Sequence, residues 1–174
     1  MAREIALLTN PTSGKGRGTR TAAIALPRLK EAGFHVRNLA GRDADEARDL
    51  ARRCVADGVE SLVVVGGDGM VHLAVQELAG SETALGIIPA GTGNDFAMAL
   101  GVPTDPAEAG RTVAAALAQG HSRTVDLALL STPDGHRVWY GAVLAAGFDS
   151  LVNERANRMR WPKGRRRYDV AIFL

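Results

Sequence analysis

The chain has 174 residues, 46% of them apolar, with a formal net charge of +2 and a single cysteine, Cys54. That length fits one full domain, or one domain and the start of another, and the apolar share suffices for a proper core. An internal disulfide is excluded, and so is a membrane-spanning helix, because no run of 18 apolar residues occurs.

Ile5–Thr9 reads as a buried strand, followed by a turn over Asn10–Gly18. No signal peptide is expected, because Arg3 and Glu4 lead directly into that strand. Thr19–Ala32 has helical periodicity, with Ala22, Ala25, Leu26 and Leu29 near one face and Pro27 as a defect expected to kink or restart it. Gly33 ends that helix, and Phe34–Leu39 is a second strand. Asp43–Ala56 is an alanine-rich amphipathic helix holding Cys54 as a small buried hydrophobe.

Ser61–Val65 is a third strand, Gly69–Leu78 a helix, Leu85–Ile88 a short strand, Asn94–Leu100 a short helix and Ala107–Gln119 a longer one. Continuous apolar strands alternating with helices imply an α/β fold: a parallel sheet covered on both faces, a three-layer domain over residues 1–120. From Gly120 the pattern changes. Thr124–Leu130 and Val138–Ala146 read as strands joined by Thr132-Pro133-Asp134-Gly135, a strong hairpin signal. A hairpin cannot close a core alone, so residues 121–174 are expected to begin a mostly β second domain. Ending on Ala171-Ile172-Phe173-Leu174 is what a chain cut inside an element would do.

Three turns carry the chemistry. Gly66-Gly67-Asp68-Gly69 follows the third strand and Pro89-Ala90-Gly91-Thr92-Gly93-Asn94-Asp95 the fourth, so bare backbone with an acid nearby sits at the ends of buried strands. That is where an α/β sheet binds phosphate. Asp68 is placed to hold Mg²⁺, orient a hydroxyl or accept a proton; the alternative is a cap for the helix starting near Met70. Thr92 can donate to a phosphate oxygen, and Asn94 and Asp95 can cap the next helix, bind ligand, or divide the two tasks.

The first turn, Asn10-Pro11-Thr12-Ser13-Gly14-Lys15-Gly16, is neither a Walker A loop nor a dinucleotide fingerprint. Lys15 either meets a phosphate or solvates the loop. Asp126 lies in an expected strand and must be paired or exposed, Asp149 stands at an expected strand end, and His72 is one turn into its helix. His35, His121 and His136 form no metal-ligand spacing. There is no serine or cysteine nucleophile constellation.

A basic run closes the chain: Arg155, Arg158, Arg160, Lys163, Arg165, Arg166 and Arg167. It is a solvated turn or helix end, or it meets an anionic partner such as a lipid headgroup. Nucleic acid is disfavoured, since no finger or helix-turn-helix signature occurs and stacking aromatics are few. An open sheet edge near the chain end would pair with further strands or with a second copy, as a homo-oligomer.

With these residues set out, the chain resembles the diacylglycerol kinase catalytic domain of bacterial lipid kinases and sphingosine kinases, a domain related in fold to NAD kinases and phosphofructokinases. The resemblance rests on Asn10-Pro11-Thr12-Ser13-Gly14, on Gly66 to Gly69, on Pro89 to Phe96 and on Gly147-Phe148-Asp149. It implies ATP against the first domain, with Asn10, Pro11, Thr12, Ser13, Gly14, Gly66, Gly67, Asp68, Gly69, Met70, Val71, His72 and Thr92 as nucleotide contacts. It implies Mg²⁺ organised by Asp68, which is also the catalytic candidate, and substrate contacts at Gly93, Asn94, Asp95 and Asp149.

The implied reaction is transfer of the γ-phosphoryl group to a lipid hydroxyl, in the cytoplasm at the inner membrane face, with the lipid taken between two domains. Two positions depart from the family: Met70 stands where threonine is usual, and Leu73 where glutamate is usual. The family's general base belongs to the second domain, beyond Leu174. A kinase for a soluble alcohol and a catalytically weak ATP-binding regulatory protein are the alternative functions.

Overall fold

The computed structural model describes residues 3–11, 16–141, 148–159, 161 and 166–173. The chain divides into two compact units, Met1–Gly141 and Ala142–Leu174.

In the first unit, β1 (Glu4–Thr9), β2 (His35–Ala40), β3 (Ser61–Gly66) and β4 (Ala84–Pro89) form one parallel sheet in the order β2-β1-β3-β4. The register pairs Leu8 with both Leu39 and Val64, and Val64 with Ile87. Alternation along β3 sorts the core into two layers. Leu62 and Val64 face α2 (Ala44–Ala56) and α3 (Asp68–Leu78) together with Ala6, Leu8 and Ile87. Val63 and Val65 face α1 (Arg17–Glu31) and α5 (Pro106–Ala118) together with Ile5, Leu7 and Ile88. Both faces of β3 are therefore dry, which is why its sequence is a continuous apolar run rather than an alternating one. Each fully buried Leu or Val contributes roughly 1.5–3 kcal/mol through removal from water.

The helices start where their capping chemistry allows. Asp43 accepts from the Glu46 amide at 2.9 Å to open α2, and Asp105 accepts from the Glu108 amide at 2.8 Å with Pro106 at the first turn of α5. Pro27 neither kinks α1 into two pieces nor restarts it, since one helix runs from Arg17 to Glu31. Helix α1 approaches α5 closely: a methyl group on Gly110 would stand 3.1 Å from the Ala25 Cα. Cys54 is buried on α2, and burial pushes its thiol pKa up.

The hairpin forms as expected but with shorter strands, β5 (Ala128–Ser131) and β6 (Arg137–Tyr140), paired antiparallel. Gly135 takes a left-handed φ of +89° in the turn, and the Thr132 amide donates to His136 O at 2.9 Å. Residues 121–126 are all exposed and form no ladder, so Asp126 resolves as an exposed acid outside the strand. The hairpin packs on α3 as a separate two-stranded sheet. Trp139 reaches the core on that side, and the Gln76 side chain binds both backbone groups of Trp139.

In the second unit, α6 (Phe148–Arg158) and α7 (Arg166–Phe173) are helical. Arg155 and Arg158 lie in the last turn of α6, where cations oppose the negative end of the helix dipole, and Arg158 pairs with Glu154. Arg160, Lys163 and Arg165 fall outside the described residues, as do residues 142–146 at the end of the strand that the sequence predicts over Val138–Ala146.

Candidate active site

Because β1, β3 and β4 are parallel neighbours, the turns that follow them share one edge of the sheet. Asn10 and Pro11 lead away from β1; Thr12, Ser13, Gly14 and Lys15 lie outside the described residues. The two turns that are fully described touch backbone to backbone. The Ala90 amide donates to Gly66 O at 2.8 Å, extending the β3–β4 ladder by one bond. A methyl group on Gly67 would stand 2.8 Å from the Gly91 Cα, and one on Gly91 only 2.4 Å from the Gly67 Cα. Glycine is required at both positions by this close approach and by no unusual backbone angle.

Asp68 is the first residue of α3, yet its carboxylate does not cap that helix; Gly67 holds the cap position, and α3 has no side-chain cap. The carboxylate reaches across to the other turn. Oδ2 accepts from the Asn94 amide at 2.8 Å and Oδ1 from the Phe96 amide at 3.3 Å. Asp68 thus caps α4 (Asp95–Ala99), a five-residue helix with no side-chain cap of its own. Asn94 does not cap it either. Asn94 sits at a left-handed φ of +61°, and its Oδ1 accepts from the Gly91 amide at 2.8 Å while Nδ2 donates to Gly91 O at 3.3 Å. That closes the turn on itself.

Two carboxylates flank Gly93. A methyl group there would stand 2.9 Å from Asp68 Oδ2 and 3.5 Å from both carboxylate oxygens of Asp95, which is exposed. A carboxylate has about four acceptor positions, so Asp68 keeps free lone pairs after binding two amides. Among the described residues no group of three His, Cys, Asp or Glu side chains gathers. One or two carboxylates without a full protein cage is the donor set that suits Mg²⁺ shared with substrate phosphates.

Thr92 is exposed at the tip of the second turn, and its Oγ1 accepts from Arg17 Nη2 at 3.3 Å. Arg17 opens α1, so a guanidinium from the helix after β1 arrives at the turn after β4. Sequence reasoning missed Arg17; its position directly after Gly16, at the helix start, was the one signal available. Gly69 is exposed with open space where a side chain would be. The Met70 and Val71 amides donate to Gly67 O at 2.9 and 3.2 Å, so the helix-start amides beside that space are those of Asp68 and Gly69.

Other sequence candidates are placed differently. Met70 and Val71 bury their side chains in the core, with Met70 packed beneath Gly66. Leu73 is in the same core cluster, 5% exposed. His72 is exposed one helical turn beyond Asp68 and lines a groove against Trp139. Asp149 lies in the first turn of α6, in the second unit.

Comparison with known proteins agrees with this architecture. The diacylglycerol kinase catalytic domain matches residues 4–130. The chain belongs to the diacylglycerol kinase catalytic domain family. It is 47% identical over 170 residues to a diacylglycerol kinase of Mycobacterium tuberculosis, covering 98% of this chain and 54% of that protein. A diacylglycerol kinase of Staphylococcus carnosus is 33% identical over 134 residues, covering 76% of this chain and 42% of that protein. The crystal structure of a diacylglycerol kinase from Bacillus anthracis superposes with a TM-score of 0.62 at 30% identity, over 72% of this chain and 42% of that one. The chain therefore spans about half the length of these relatives. Among the described residues no helix is long and apolar enough to cross a membrane.

Proposed function

We propose that this chain supplies the nucleotide-binding half of an ATP-dependent lipid kinase, which transfers the γ-phosphoryl group to the hydroxyl of diacylglycerol or a related lipid. The observation that carries the reading is Asp68, held by two backbone amides where Gly67 and Gly91 meet too closely for either to carry a side chain. Family membership and relatives named diacylglycerol kinase support the lipid over a soluble alcohol as acceptor.

Phosphoryl transfer asks the protein for positioning and charge neutralisation rather than covalent chemistry. The exposed backbone at Gly69, with the Asp68 and Gly69 amides at the start of α3, receives phosphate oxygens. Thr92 keeps its own proton while accepting from Arg17, so it donates to a phosphate oxygen and holds Arg17 beside it. Asp68 and Asp95 are the residues that would hold Mg²⁺, which when bound neutralises charge on the phosphates. Asn10 to Gly14 complete the nucleotide contacts, and Gly93, Asn94 and Asp149 are assigned to the substrate side. The reaction is placed in the cytoplasm at the inner membrane face, where the basic run Arg155 to Arg167 meets anionic headgroups at about 1 kcal/mol per charge.

The test has two parts. Titration of this chain with Mg-ATP is expected to show saturable binding that Asp68→Ala weakens at least tenfold. The product of the complete reading frame, given γ-labelled ATP and a lipid panel, is expected to label diacylglycerol or a close relative. Unchanged Mg-ATP affinity in Asp68→Ala overturns the role of that acid; label in a soluble alcohol and in no lipid overturns the substrate class.

A further inference from the structure

A concavity lies away from the two glycine turns, none of whose residues line it. It is a groove of about 510 Å³ between α2, α3 and β6, within the range of small-molecule sites, roughly 300–1,000 Å³. Its floor is fixed by side-chain hydrogen bonds. Gln76 Nε2 donates to Trp139 O at 2.7 Å and to His72 O at 3.1 Å, while Gln76 Oε1 accepts from the Trp139 amide at 2.9 Å. The amide side chain therefore replaces a neighbouring strand along the β6 edge.

The charges around this floor are unevenly partnered. Glu77 is already taken by Arg52, with contacts of 3.1 and 3.3 Å, so its negative charge is spoken for. Arg48 stands 3.9 Å from Glu77 and 3.3 Å from the exposed Asp45. His136 faces Asp134 at 3.5 Å in the turn. The Arg137 guanidinium and the His72 imidazole have no side-chain partner among the described residues, and both line the groove. Val138 and Trp139, both half-buried, supply an apolar wall.

We propose that this groove binds a phosphate-bearing small molecule at a site separate from the nucleotide turns. Arg48, His72 and Arg137 bring donors from three elements, which suits the three oxygens of a phosphate monoester; a carboxylate would occupy one guanidinium fork and leave the others unused. The Val138–Trp139 wall takes the organic body. The phosphate arrives either on a free metabolite or on a lipid headgroup, and the recognition chemistry is the same.

Trp139 is a built-in reporter. The chain has two tryptophans, and Trp161 is 79% exposed in the second unit. In a Trp161→Phe background, Trp139 emission is followed during titration with inorganic phosphate, glycerol phosphate and, as the neutral control, glycerol. Phosphatidylcholine vesicles with and without phosphatidic acid form the second arm. The expected result is a saturable change with phosphate or its ester and none with glycerol. Arg137→Ala weakens it roughly tenfold, the effect of losing one charge-assisted hydrogen bond, and Arg137→Lys restores most of it. Mg-ATP binding is unchanged by Arg137→Ala, which separates this proposal from the nucleotide site. A change seen with phosphatidic acid vesicles alone, and lost in Arg137→Ala, assigns the phosphate to a lipid. No saturable change with any phosphate probe overturns the proposal. So does an equal response to glycerol, or a loss of Mg-ATP binding in Arg137→Ala that shows the groove to be part of the nucleotide site.

Discussion

The two glycine turns at the sheet edge look alike in sequence and are built on different principles. The turn after β3 opens an eleven-residue helix, and its acid is free to serve another element. The turn after β4 opens a five-residue helix that cannot cap itself, carries a left-handed Asn94, and receives both oxygens of Asp68. A short helix contributes little stability of its own, so α4 and the Gly91–Asp95 turn depend on Asp68 for their shape. The dependence is one-way: nothing in α3 needs Asn94 or Asp95 as a cap. One carboxylate thus organises the second turn and keeps acceptor positions to spare.

The sharpest way to break this arrangement is to separate the turns. Gly91→Ala puts a methyl group 2.4 Å from the Gly67 Cα and 2.7 Å from Asn94 Oδ1, and the first of these is backbone that cannot swing aside. A loss of about 3 kcal/mol is expected, read as a drop of several degrees in thermal unfolding, together with loss of Mg-ATP binding. A variant that melts normally and binds Mg-ATP normally would mean the turns are not in contact.

Asp68 allows the capping and charge roles to be divided. Asp68→Asn keeps one acceptor oxygen but turns an N–H toward an amide, leaving one buried donor unsatisfied at about 1–3 kcal/mol. Asp68→Ala removes both acceptors and frees the start of α4. If the carboxylate serves only the fold, Mg-ATP affinity falls in proportion to stability across the pair. If it also serves the cation, Asn loses nearly as much affinity as Ala while remaining the more stable protein. Thermal unfolding and isothermal titration on the same two variants decide between these.

Much of this arrangement was legible in the sequence. Val63-Val64-Val65 and Ile87-Ile88 announced buried parallel strands because a strand covered on both faces has no polar alternation. The Gly66–Gly69 and Gly91–Asp95 turns stood out because glycine and acid recur at strand ends, and the structure brings them together at one sheet edge. What could not be read were pairings between residues far apart in the chain. Asp68 caps a helix 26 residues away, Arg17 meets Thr92 across 75, and Gln76 holds Trp139 across 63. Local propensity offers Asp68 as a cap for its own helix, the alternative its sequence position leaves open; the close approach of the two turns redirects it. The same limit applies to β5 and β6, whose ends are set by where partner strands stop and not by the apolar run in either segment.

The finest division of the second turn lies at Asn94, where backbone strain and a side-chain tie coincide. Its φ of +61° is a region that costs an ordinary residue roughly 1–2 kcal/mol, and its side chain ties Gly91 through two bonds. Asn94→Gly removes the tie but accepts the backbone angle, with an expected loss of about 1 kcal/mol. Asn94→Ala removes the tie and adds the strain, with an expected loss of about 2–3 kcal/mol. In both variants the Asn94 amide still donates to Asp68, so the cap of α4 is kept and Mg-ATP affinity falls much less than in Asp68→Ala. Equal melting temperatures for the two variants would show that the turn shifts out of the left-handed region once the side chain is gone. The second turn would then take its shape from Asn94 as well as from Asp68.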